Sequence, residues 1–313
     1  YNQGTLTLSN STLSANTCEG AGAGVHNEDV LSVYSSTISG NNASNGPGGG
    51  IVNNGTLLLS LSTLSGNLAY NYGGGMLNQG SADVSQSTIS GNKATLGGGL
   101  YNGEVLYLTN STISSNRSDA DGGGIYNNSI GTTNVYNSTI AFNEADSDAD
   151  PGGGSGGGVY NLAGGTFNLR NSVVAGNNVS GAPVYDECTG ALGSYGRNKF
   201  WGVSGCTITQ FRGGDSTLLL SLSELAGLQA NGGPTQTIAL VPPSDMIDGA
   251  DATSGCIDKT GSVLATDQRG APRVAGVRCD IGAFEYGSVP EPAAAAAMAV
   301  ALAMLAALAR LSS

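Results

Sequence analysis

Hydrophobic and polar positions along the first 180 residues follow one recurring pattern. The segment Ser11-Thr12-Leu13-Ser14 returns as Ser36-Thr37-Ile38-Ser39, Ser62-Thr63-Leu64-Ser65, Ser87-Thr88-Ile89-Ser90 and Ser111-Thr112-Ile113-Ser114. Looser copies stand at Ser138-Thr139-Ile140-Ala141 and Ser172-Val173-Val174-Ala175, and successive copies are 25, 26, 25, 24, 27 and 34 residues apart. Two residues beyond each copy comes an Asn: Asn16, Asn41, Asn67, Asn92, Asn116, Asn143 and Asn177. In phase with this block run Gly triplets that lead into an apolar pair and a further Asn, as in Gly48-Gly49-Gly50-Ile51-Val52-Asn53. A third block is typified by Leu57-Leu58-Leu59 and Val105-Leu106-Tyr107-Leu108. Every block is short, β-prone and bounded by Gly or Asn, which predicts three brief strands per unit and no helix.

Such a unit cannot bury its own apolar residues, but coils stacked on one another form a continuous narrow core. The pattern therefore predicts an all-β chain: a right-handed parallel β-helix with about 25 residues per coil. Side chains two apart share a face, so Leu13, Ile38, Leu64, Ile89, Ile113, Ile140 and Val174 point inward, together with Ser11 and its equivalents. Thr12, Ser14, Thr37, Ser39, Thr63, Ser65, Thr88, Ser90, Thr112 and Ser114 then form an outward hydroxyl ladder. The recurrent Asn reads as a turn ladder, tolerating left-handed backbone and bonding the Asn of the next coil. Regular coils are expected over 1–180, irregular coils and a cap over 181–286, and a tail over 287–313.

Composition agrees with a solenoid and narrows the function. Of 313 residues 51 are Gly, only 11% are charged, and the net charge is −12. An acidic chain this poor in Lys and Arg has no basic stripe for a phosphate backbone, so no nucleic-acid partner is expected, and an anionic membrane surface is disfavoured. Five Cys in a Ser/Thr/Asn-rich acidic chain suit an exported protein. The candidate disulfides are Cys188 with Cys206 and Cys256 with Cys279, and Cys18 is left over for a partner upstream. The chain opens at Tyr1 without a signal-peptide pattern, so a leader is expected to have been removed or to lie upstream.

Candidate chemistry is sparse. Glycoside hydrolysis needs two carboxylates about 5 to 9.5 Å apart, and a lyase needs a base beside a cation. The acids of residues 1–180 fall mostly in turns, and the bases there are Lys93, Arg117 and Arg170. His26, the single His, aligns with Val52, Leu77 and Tyr101 of other units and reads as a repeat position rather than a catalytic base. No catalytic residue is assigned. Asp146, Asp148 and Asp150 alternate as in a calcium loop, with Asp119 and Asp121 one coil earlier, but no bidentate Glu closes the loop; calcium is the one cofactor to test. The outward Thr-x-Ser pairs also have the spacing of a lattice that could order water, so ice binding is an alternative.

The last third carries a resemblance. Asn231-Gly232-Gly233-Pro234-Thr235-Gln236-Thr237, Asp248-Gly249-Ala250-Asp251, Thr266-Asp267-Gln268-Arg269-Gly270 and Cys279-Asp280-Ile281-Gly282-Ala283-Phe284-Glu285 resemble the choice-of-anchor Q domain family of bacterial surface proteins. The resemblance implies a pectin-lyase-like right-handed β-helix ahead of this region, surface display, and a sorting signal after it. Val289-Pro290-Glu291-Pro292, followed by an apolar stretch from Ala293 to Ala309 and Arg310, resembles a PEP-CTERM signal. That implies an exosortase-type membrane protease as partner, a Gram-negative envelope, and transient inner-membrane association. The stretch 293–309, read as a helix, is about 25 Å long, less than the roughly 30 Å of a hydrocarbon core, and the tail has one Arg where a basic cluster is usual. The sequence thus predicts a non-enzymatic, secreted or surface-attached adhesive or structural protein that contacts extracellular polysaccharide or its own copies. A polysaccharide lyase or hydrolase is the enzymatic alternative.

Overall fold

A computed structural model describes residues 1–149, 153–180, 185–216, 221–251 and 255–288. Asp150, the box Val289, Pro290, Glu291 and Pro292, and the stretch 293–309 lie outside the described residues.

The chain is a parallel β-helix. The three predicted strand sets all form: Val25–Asn27 and its repeats, Thr5–Ser9 and its repeats, and Thr12–Ser14 and its repeats. A fourth set was not anticipated, a two-residue strand after each ladder Asn, from Thr17–Cys18 to Asn178–Val179. The strands assemble into three parallel sheets because Cys188–Ser194 pairs with both of the first two sets and joins them. Inside, Ile38, Leu64, Ile89, Ile113, Ile140 and Val174 stack with no exposed surface. Columns such as Val33, Leu59, Val84, Leu108, Val135 and Leu169 run beside them. Each fully buried aliphatic side chain is worth about 1.5–3 kcal/mol, and register makes every one continuous with its neighbour.

Polar ladders run through the same interior. Asn16 through Asn177 are joined rung to rung, with Nδ2 of one donating to Oδ1 of the next at 2.8–3.0 Å. A second Asn ladder, Asn2, Asn27, Asn53, Asn78, Asn102, Asn127 and Asn161, ends the Gly-block strands in the same way. The inward Ser column is bonded too, each backbone N–H donating to the next Ser Oγ. One expectation is corrected: the ladder Asn residues are not left-handed. The residue before each one is, including Ala15 (φ 56°), Gly66 (φ 61°), Ser115 (φ 59°) and Phe142 (φ 60°). The bend precedes the rung, so that the Asn amide can turn in and satisfy backbone groups at the corner.

The disulfides Cys188–Cys206 and Cys256–Cys279 form, and Cys18 is a free thiol. Irregular coils continue through Cys206–Thr209, which pairs with Cys188–Ser194. Residues 221–251 and 255–288 then lie along the flank of the helix as a flap. Amides at one corner of successive coils donate to its carbonyls: Gln86 to Asp267 (3.1 Å), Asn110 to Thr266 (2.7 Å), Asn137 to Ile257 (2.8 Å) and Asn171 to Gly255 (3.0 Å). Gln268 Nε2 donates to Thr88 Oγ1 at 2.9 Å and its Oε1 accepts from Thr112 Oγ1 at 2.6 Å. Arg269 and Arg273 are buried, Arg269 against Asp267 and Arg273 beside Glu285.

Candidate functional site

The flap decides which predicted surface is open. Thr88, Ser90, Thr112 and Ser114 face outward from the coil as expected but are buried, whereas Thr12 and Ser14 are exposed and Thr37, Ser39, Thr63 and Ser65 half-buried. The accessible hydroxyl ladder is therefore three rungs long.

A groove runs along the two-residue strands instead. In the five strands between the first and the last, the second residue (Ala43, Ala69, Ala94, Ser118, Ala145) is small, buried and inward, which tightens the corner beside the Asn ladder. The first points outward, and register aligns Asn42, Leu68, Lys93, Arg117, Glu144 and Asn178 in one row. Lys93 Nζ lies 2.8 Å from Asp119 Oδ1, which also accepts from Ser147 Oγ at 2.8 Å, and Arg117 Nε lies 3.0 Å from Glu144 Oε2. Each cation is thus tied to a carboxylate of the next coil. Two hollows lie along the row, one at Lys93 and one at Arg117. One of about 310 Å³ is lined by Asn42, Ser44, Leu68, Tyr70, Lys93 and Asp119; the other, about 340 Å³, by Ser115, Arg117, Phe142, Glu144 and Asn178. Tyr70, 63% exposed, stands at one end. At the other, Tyr185 bridges to Asn178 and stacks on Trp201 with ring centroids 4.2 Å apart.

Chemically this is a strip of hydrogen-bond donors and acceptors between two aromatic ends, the composition of a site for a polyhydroxylated ligand. Both cations spend a donor on a neighbouring carboxylate, so the charges of the row are paired. The signal was in the sequence as Lys93, Arg117 and Glu144, each directly following a ladder Asn, but without the fourth strand they read as isolated charges.

His26 sits in register with Val52 and lies 2.8 Å from Glu28, against the Tyr1 ring. Asp119 is engaged with Lys93 and Ser147, and no three His, Cys, Asp or Glu side chains converge among the described residues. Tyr72, Tyr101, Tyr126 and Tyr160 form an outer stack with centroids 4.9–5.1 Å apart, at the repeat position of His26 from Tyr101 onward. Burial, then the neighbouring phenols, push the Tyr126 hydroxyl up to about 12. The Tyr101, Tyr126 and Tyr160 rings lie face to face, at 6° and 8°, whereas Tyr72 is tilted by 42° against Tyr101. Among the described residues no helix is long and apolar enough to cross a membrane.

No family model matches the chain, and no curated protein matches it. Among solved structures it is similar to pectate lyase Pel9A, with 14% identity and a TM-score of 0.44 over 88% of this chain and 86% of that one. That likeness assigns no residue here a role.

Proposed function

We propose that the protein is a non-catalytic β-helix that binds a neutral polysaccharide along the groove of the two-residue strands, as an adhesive or structural component outside the cell. The observation that carries this reading is the row Lys93–Asp119 and Arg117–Glu144, closed into ion pairs between Tyr70 and the Tyr185–Trp201 stack. Both cations of the row are paired with carboxylates, so the row carries no net positive charge for a polyuronate, and a chain of net charge −12 repels one. Two disulfides accord with an oxidising, extracytoplasmic setting. The resemblances of residues 231–285 and of the Val289–Pro292 box extend the proposal to surface display in a Gram-negative envelope, with an exosortase-type protease acting on the tail.

Calorimetric titration with cellohexaose, xylohexaose and oligogalacturonate tests it. Binding of a neutral oligosaccharide, weakened about tenfold (about 1.4 kcal/mol) by Tyr70→Ala, is expected. Release of unsaturated ends from oligogalacturonate, abolished by Lys93→Ala, would show a lyase and sink the proposal.

A further inference from the structure

The Asn ladder ends on an acid. Along its length one amide oxygen receives the backbone N–H and the Nδ2 of the preceding rung, as Asn177 Oδ1 does from Asn143. At the last coil Glu187 stands where the next Asn would. Asn177 N and Nδ2 donate to its Oε2 at 3.1 and 2.6 Å, and Gly176 N donates to Oε1 at 2.8 Å. The side chain is buried, with the residue 2% exposed. An ionised carboxylate accepts all three bonds. A neutral carboxyl carries a hydrogen on one oxygen, which leaves that oxygen a weaker acceptor, and the bonds lose their charge assistance.

The corner held in this way belongs to the groove. Asn178 follows Asn177 directly and lines the second hollow. Tyr185, two residues before Glu187, bridges to Asn178 and carries the Trp201 stack.

We propose that Glu187 is a positioning residue whose ionisation sets the geometry of the Tyr185–Trp201 end of the groove. Ionised, it locks the Gly176–Asn178 corner with three charge-assisted bonds; neutral, it holds the corner more weakly and the aromatic end shifts. Burial pushes Glu187 up to about 7 against the three N–H donors, and Asp186 beside it adds to the rise. Of the other charged groups nearby, Glu144, on the strand paired with Asn178–Val179, is held by Arg117. Glu224 accepts from Ser221 N at the short turn Leu222–Glu224, whose Leu222 packs beside Gly176. The consequence for binding rests on the glycan reading of the groove; the coupling itself needs no ligand.

Trp201 is the chain's one Trp, so its fluorescence reports this end directly. Across roughly pH 5.5 to 8.5 the full chain is expected to titrate once, with a midpoint at about 7. Glu187→Gln should be flat, at the acid-limb value. Glu285→Gln, which removes the other carboxyl pushed up to about 7, should leave the titration in place. In wild type labelled with ¹³C at Glu carboxyls, the Glu187 signal should titrate together with the Asn177 side-chain amide, a readout that needs no variant to fold. A pH-independent Trp201 signal, a titration surviving Glu187→Gln, or a Glu187 carboxyl that does not titrate in this range overturns the proposal. Cellohexaose affinity should fall about fivefold from pH 8 to pH 6, in the range of ordinary site-to-site coupling, and stay constant in Glu187→Gln. A Trp201 titration without cellohexaose binding at any pH leaves the coupling standing and removes the glycan reading.

Discussion

At Asn92 the side-chain amide accepts the N–H and Nδ2 of Asn67 at 2.9 and 3.0 Å, and donates onward to Asn116 and to Leu64 O. Replacing it with Ala strands donors and acceptors in an interior that water does not reach. Each buried orphan costs about 1–3 kcal/mol, so Asn92→Ala is expected to lower stability by about 3 kcal/mol in denaturant unfolding. Asn16→Ala, the same change on an exposed rung, should cost about 1 kcal/mol or less. Equal losses at both sites would show that the ladder contributes by backbone conformation rather than by burial. Glu187 and Glu285 act in a different way. Burial raises both to about 7 from an ordinary carboxyl value, so between about pH 4.5 and 7 the folded state holds protons the unfolded chain has released. Their contribution is complete at the acid side and disappears as pH rises through 7. Thermal unfolding is expected at higher temperature at pH 5 than at pH 8, by a few degrees, with the difference reduced in Glu285→Gln.

Among the elements, the flap depends on Gln268. Its amide reaches Thr88, Thr235 and the carbonyls of Ser87 and Gln236, and receives the Thr112 hydroxyl. Gln268→Ala is expected to raise amide exchange across residues 231–285 at least about tenfold while leaving the coil amides of residues 25–67 unchanged. Uniform loosening of the whole chain would contradict a separately docked flap. The coil itself was legible because the seven copies of its strand motif differ so little that period alone specifies register. The flap was not, for a physical reason: Thr63 and Thr88 stand in the same local sequence, and only long-range packing decides that one stays half-open while the other is covered. The groove lay between these cases. Lys93 and Arg117 occupy a repeat position, but their meaning depended on a two-residue strand too short to leave a hydrophobic pattern. Glu187 was hidden because the ladder passes to it where the period has already broken.

For the molecule as a whole, stability is a sum over neighbouring coils, and the flap breaks that uniformity. Coils carrying Gln86, Asn110, Asn137 and Asn171 are tied to one another by a segment running across them, whereas among the described residues no such bond reaches that segment from Asn10, Ser35 or Leu61. Mechanical load makes the difference visible. Pulled from Tyr1 along its axis, the chain should peel away coil by coil at low force, then resist as one block that gives way in a single larger step. In a force–extension trace the boundary is expected near residue 85, and Gln268→Ala should lower the force of that step. A protein displayed outside a cell would then yield a short compliant lead before its braced body bears tension, a tether with its own shock absorber.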